Sequence, residues 1–160
     1  MSATRTRQAG RPASSIAVQV AVVAAAVPAR ARLRRWALAA LRGRAEVTLR
    51  IVGTAEARRL NRVFRGRDYA TDVLTFVYCA SPRRGDIVLC HPVLARAARE
   101  RRIALEAHYA HLVVHGMLHL RGYDHERHGD ARRMEGAEAK LLARLGYADP
   151  YAVESARSTR

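Results

Sequence analysis

Three histidines carry the most demanding chemical pattern in this chain: His115, His119 and His125, spaced H-x-x-x-H-x-x-G-x-x-H. Residues four apart on a helix share one face, one turn above the other. Two imidazoles so placed can converge on one tetrahedral ion at about 2.0–2.1 Å. Gly122 follows, and a glycine there can adopt the positive φ that turns the chain back at a helix end. The turn Gly122-Tyr123-Asp124 then brings His125 round as a third ligand. Three neutral imidazoles leave the ion its full double charge and an open position for water, as in catalytic zinc sites. A fourth protein ligand, Asp124 or His111, would instead close the shell and make the metal structural. The pattern predicts one bound Zn2+, or another divalent ion, because a His triad discriminates weakly among them.

The chain has seven histidines, and any single one is an ordinary surface or core residue unless its spacing argues otherwise. His91, His108 and His128 fall in that class. His111, one turn before His115, reads either as a hydrogen-bonding support for a ligand or as core packing. The triad spacing is that of the metzincin proteases, but the Glu that serves them as general base is Gly116 here. Without that carboxylate, peptide hydrolysis has no proton acceptor. Met134 invites comparison with the Met-turn of those proteases, yet it sits on an apolar helix face and reads as core. Gly116 itself costs a helix about 1 kcal/mol against Ala. Close approach of substrate or backbone, or simple packing, would explain it equally.

Periodicity supplies the elements that must position these groups. Ile16 to Val22 reads as a buried strand ending before Pro28, and Arg30 to Leu41 as an amphipathic helix capped by Gly43. Val47, Leu49 and Ile51 alternate with polar residues as a half-buried strand. Thr54 is the predicted N-cap of a helix with Glu56 in its first turn, and with Ala57, Leu60 and Phe64 inward. It stops at Arg65-Gly66. Thr71 to Cys79 and Asp86 to Cys90 read as strands of a hairpin around Ser81-Pro82-Arg83-Arg84-Gly85. Three helices follow, from Val93 to Arg102, Leu105 to Leu120 and about Asp130 to Leu145. The last has Met134, Ala137, Leu141, Leu142 and Leu145 inward and Gly146 as cap. The expected fold is α/β (α+β): one domain over residues 15–155, a mixed sheet of about four strands packed with about five helices. The metal site falls at the end of a buried helix.

Composition narrows the partners. The 160 residues suit one domain, with 49% hydrophobic and 27% charged residues as in folded soluble proteins. Lys plus Arg number 29 against 14 acidic residues, a net charge of +15 that attracts polyanions. Nucleic acid is the commonest polyanion in cells, although a high-GC genome also enriches Arg and Ala. Residues 1–14, basic and containing Gly10 and Pro12, are expected to form a disordered arm. Arg5, Arg7 and Arg11 before the apolar run Ile16 to Val27 superficially resemble a secretory signal. Gln19 interrupts that run, which is too short to span a bilayer, so no membrane is expected. Cys79 and Cys90 are too few for a disulfide framework and read as buried thiols of a reducing compartment.

Several blocks of the sequence resemble one family. His115-Gly116-Met117-Leu118-His119-Leu120-Arg121-Gly122-Tyr123-Asp124-His125 is similar to the H-G-x-L-H-L-x-G-Y-D-H signature of the YbeY endoribonucleases, also called rRNA maturation factors. Leu60-Asn61 through Phe64-Arg65-Gly66-Arg67-Asp68 resembles the family's L-N-x-x-[YF]-R-x-K/R-D segment. Thr71-Asp72-Val73-Leu74-Thr75-Phe76 resembles T-D-V-L-S-F, and Gly85-Asp86-Ile87 its G-D-I. Leu145-Gly146-Tyr147 fits as well, and the resemblance runs from about residue 46 to 151. It departs at Val77, where the family has Pro, and in a short, basic connection to Gly85. The resemblance implies a cytoplasmic, zinc-dependent endoribonuclease specific for single-stranded RNA. It implies a role in 16S rRNA 3′-end maturation and ribosome quality control, with the small ribosomal subunit and an assembly GTPase as partners. It makes His115, His119 and His125 the ligands and puts the family's functional Arg at Arg65. A planar guanidinium there suits two phosphate oxygens, and Arg65 and His115 become the expected catalytic residues. The alternative from another class is a non-catalytic ribosome-assembly factor whose metal is structural.

Overall fold

In the computed structural model, which describes residues 13–152, the two apolar alternations of the sequence become the middle of a four-stranded sheet. The elements are β1 (Ser15–Val20), α1 (Arg30–Ala40), β2 (Ala45–Val52), α2 (Thr54–Arg65) and β3 (Val73–Ala80). They continue with β4 (Arg83–Cys90), α3 (His91–Arg101), α4 (Leu105–Leu120) and α5 (His128–Leu145). Strand order is β1-β2-β4-β3, with β1, β2 and β4 parallel and β3 antiparallel to β4. The mixed sheet with five helices is the predicted fold. Most of the expected arm, residues 1–12, lies outside the described residues, as do residues 153–155 of the expected domain.

The alternation sorts the two faces. Val47, Leu49 and Ile51 of β2, with Ile87 and Leu89 of β4, join the large core cluster holding Trp36, Tyr109, Val113, Met117 and Leu142. Val52, Val88 and Cys90 point the other way into a smaller cluster with Ala57 of α2 and Leu74 of β3. Beyond its first three residues helix α4 is buried nearly all round, and there only the row His111, His115 and His119 is partly open. A helix so enclosed is oriented by its packing, which is what a site built on it requires. A Cβ at Gly116 would stand 2.9 Å from two side-chain carbons of Ile87. Packing of α4 onto β4 therefore accounts for that glycine. Met134 is buried in the large cluster, as expected of core.

Several boundaries differ from expectation, each for a non-local reason. β1 is a border strand ending at Val20 and burying only Val18, because among the described residues it pairs with β2 alone. Its register against β2, from Ser15 opposite Glu46 to Val20 opposite Ile51, makes the apolar run part of the sheet. Helix α1 ends with Leu41 extended, so Gly43 (φ +72°) serves the following bend rather than the cap. Gly53, not Thr54, is the N-cap of α2, while Glu56 holds Arg50 through two hydrogen bonds of 2.8 and 3.1 Å. Phe64 is 58% exposed instead of inward, with its ring edge-on to Phe76 of the border strand β3. Arg83 and Arg84 belong to β4 and not to a turn: parallel pairing with Ala45 and Glu46 extends the strand. Helices α3 and α5 each begin two residues early, at His91 and His128. Cys90 is buried, but Cys79 only partly.

Candidate metal centre

The end of α4 is a Schellman turn. Gly122 N–H donates to His119 O (2.9 Å) and Tyr123 N–H to Leu118 O (3.0 Å), with Gly122 at φ +92°. This bend does two things for the site. It points the Tyr123 carbonyl at His119 Nδ1, 3.0 Å away, and it starts the return to His125. Asp124 completes the return, its Oδ1 accepting from the backbone N–H of His125 (2.7 Å) and Glu126 (3.2 Å). Asp124 is thus engaged in the turn rather than as a fourth ligand.

The three predicted imidazoles do come together. Their ring centroids lie 4.6 Å (His115–His119), 5.1 Å (His119–His125) and 5.8 Å (His115–His125) apart. One nitrogen from each lies within 4.8 Å of the others, and no fourth His, Cys, Asp or Glu among the described residues joins them. The hydrogen bonds then settle the tautomers. A carbonyl only accepts, so His119 Nδ1 carries a proton and its Nε2 a lone pair. His115 Nδ1 lies 2.5 Å from Glu138 Oε1 and likewise donates. With Nδ1 so engaged on both rings, the two Nε2 atoms face each other at 3.1 Å. Two lone pairs at that distance repel unless a cation or a proton sits between them. A tetrahedral ion at about 2.0–2.1 Å would space its ligands by roughly 3.3 Å, so the donor set fits a divalent metal. Burial and the neighbouring His115 and His125 lower the pKa of His119, keeping its ring neutral and ligand-ready.

Glu138 was not anticipated. It is 1% exposed, on α5, and takes a hydrogen bond from every side: His115 Nδ1 on Oε1, and His111 Nε2 (2.7 Å) and the Tyr151 hydroxyl on Oε2. Burial alone would favour the neutral carboxyl, but these three donors outweigh it and hold its pKa down to about 2. The sequence did contain a signal: position 138 lies one turn after Met134 and before Leu142, a charge in the middle of an apolar stripe. His111 accordingly supports the site through Glu138 instead of ligating with the triad. A carboxylate behind a ligating imidazole fixes its ring and raises its basicity. Glu138→Gln is expected to weaken metal affinity about 10- to 100-fold, because the amide cannot accept from all three donors. Chelator competition at fixed pH measures this, and unchanged affinity would remove Glu138 from the site.

Of the remaining histidines, His91 and His108 behave as core residues. His91 Nδ1 pairs with the Tyr109 hydroxyl at 2.7 Å, while burial lowers the pKa of His108 to about 4. His128 is exposed at the start of α5.

Arg65 ends α2 and crosses the border of β3. Its Nη2 donates to Thr75 O (2.9 Å), and its guanidinium carbon lies 5.5 Å from the centre of the Phe76 ring. It opens into the same cavity as the triad, about 560 Å3, with Arg67, Thr75, Val77 and Glu126 in the wall. A larger cavity of about 730 Å3 lies behind His108 and His111 and touches no member of the triad. The triad and Arg65 meet in the smaller one, an open trough.

Comparison with known proteins adds the lineage. The profile of the family described as Endoribonuclease YbeY matches residues 22–146. The Endoribonuclease YbeY of Aromatoleum aromaticum is 64% identical over 126 residues, 78% of this chain and 82% of that protein. That of Bordetella pertussis is 57% identical over 150 residues, covering 86% and 95%. A Thermotoga maritima protein of known solution structure has the same fold at 24% identity. Its TM-score is 0.53, over 85% of this chain and 98% of its own.

Proposed function

The chain belongs to the Endoribonuclease YbeY family, and on that premise we propose that it cleaves single-stranded RNA internally, with one zinc ion at His115, His119 and His125. The observation carrying this reading is the pair of imidazole Nε2 atoms 3.1 Å apart, beside a third imidazole and an open trough that Arg65 also lines. When bound, a divalent ion there supplies water acidified toward neutrality and an electrophile for a phosphoryl oxygen. The protein's own groups do the rest. His119 and His115 present Nε2 because Tyr123 O and Glu138 hold their Nδ1 protons. Arg65, anchored on Thr75 O by Nη2, keeps its other N–H donors for phosphate oxygens and stabilises charge developing on them. The trough's one-sided opening admits a flexible strand.

The physiological substrate in this reading is ribosomal RNA at the 3′ end of the 16S molecule, processed in the cytoplasm with a role in ribosome quality control. The small ribosomal subunit and an assembly GTPase are its partners. A net charge of +15 suits such polyanionic surroundings. Among the described residues no helix is long and apolar enough to cross a membrane. The alternative, a non-catalytic assembly factor with a structural metal, is disfavoured by the missing fourth ligand and the exposure of His125.

The test is single-turnover cleavage of a short single-stranded RNA before and after metal removal, followed by circular dichroism. Cleavage should vanish on chelation and return with zinc while helical content stays constant. Unfolding on chelation, with no cleavage in either state, would favour the structural alternative.

A further inference from the structure

The face of the sheet that α2 leaves uncovered carries a row of aromatic rings beside the trough. Phe76 and Tyr78 lie on the same side of β3, since the Tyr78 hydroxyl donates to Oδ2 of Asp86 (2.8 Å), the strand partner of Phe76. Phe64, from the end of α2, stands edge-on to Phe76 with centroids 5.3 Å apart. Phe64 and Tyr78 are 58% and 66% exposed, and Tyr78 sits where the β3–β4 register shifts. Arg65 lies over Phe76 while opening into the triad's cavity, so the rings continue the trough around the border strand. Arg62, Arg65 and Arg67 bring three guanidinium groups to the same end of α2. Asp86, which sits opposite Phe76 on β4, is engaged by Tyr78 and holds that ring in orientation.

Exposed rings edged by cations and running into a phosphate-handling trough have the chemistry of a stacking subsite. Every unpaired base offers a flat π-face, and stacking on an aromatic side chain contributes to binding whatever the base. In a duplex those faces are already covered by neighbouring bases, and the A-form grooves do not present them. We propose that Phe64, Phe76 and Tyr78 stack an unpaired nucleobase flanking the scissile phosphate, with Arg65 holding the intervening backbone. The rings then select single-stranded over paired RNA. The proposal rests on the endoribonuclease reading above and adds a base-recognition surface to it.

Phe64→Leu and Tyr78→Ala, at exposed positions outside the core, are compared with wild type and with Tyr78→Phe in single-turnover cleavage of a short single-stranded RNA. Each ring loss is expected to raise the half-saturating protein concentration about tenfold. The maximal rate and bound zinc should stay near wild type, and Tyr78→Phe, which keeps the ring but loses its bond to Asp86, should raise half-saturation less than Tyr78→Ala. With RNA made abasic at one position next to the cleaved bond, the difference between wild type and the ring variants should disappear. Half-saturation unchanged in both ring variants overturns the subsite, as does an undiminished difference on the abasic RNA. A wild-type protein that fails to cleave single-stranded RNA at all overturns the function on which the subsite rests.

Discussion

His119→Ala is expected to lose tight metal binding and to slow single-turnover RNA cleavage at least about a thousandfold, a barrier increase of roughly 4 kcal/mol. Of the three candidate ligands, His119 has the most fully specified environment. Tyr123 O takes its Nδ1 proton, and burial and its two neighbours keep the ring neutral. Alanine leaves two imidazoles from different segments, His115 on a rigid helix and His125 in an exposed turn, too few for a stable tetrahedral site. The fold should survive, because the helix beneath is held by Val113, Met117 and Leu118 in the large core cluster. Zinc content by mass spectrometry, circular dichroism and rapid-quench kinetics read the three quantities separately. Cleavage close to the wild-type rate would disprove the proposed site. Loss of helical content together with zinc would point to a structural ion.

The second large effect concerns Arg65. Arg65→Ala should lower the maximal single-turnover rate about 10²- to 10³-fold, the usual effect of removing one donor from a developing anion, while zinc content stays constant. A loss confined to half-saturation would mean that the guanidinium contributes only uniform binding. Arg65→Lys should recover little. A single ammonium cannot bond Thr75 O, cover the face of Phe76 and still present a fork to phosphate. Wild-type rates in both variants would make Arg65 an ordinary surface cation.

What the sequence made legible was local. The triad, its helix and the glycine that turns the chain follow from spacing within eleven residues, His115 to His125, and the structure keeps all three. The regions misjudged depend on partners far away in the chain. Arg83 and Arg84 look like turn residues until Ala45 and Glu46 arrive to pair with them. Phe64 fits an inward stripe on α2, but it meets the border strand β3 at Phe76 and stays 58% exposed. Glu138 stands 23 residues from His115, and only the packing of α5 on α4 joins them. Its charge within an apolar stripe announced a buried partner without saying which. The role proposed for Arg65 was legible only through family resemblance, since one Arg among so many has no distinguishing spacing.

The outer position of β3 carries a liability of its own. A strand with one unpaired side can accept a strand from another molecule, and proteins blunt such rims with cations and irregularities. Here the guanidinium of Arg65 occupies the Thr75 carbonyl, and the register shift near Tyr78 breaks the regular run of acceptors. The side chain proposed to meet phosphate therefore also covers part of this rim, so Arg65→Ala is expected to uncover a template for aggregation along with its expected loss of rate.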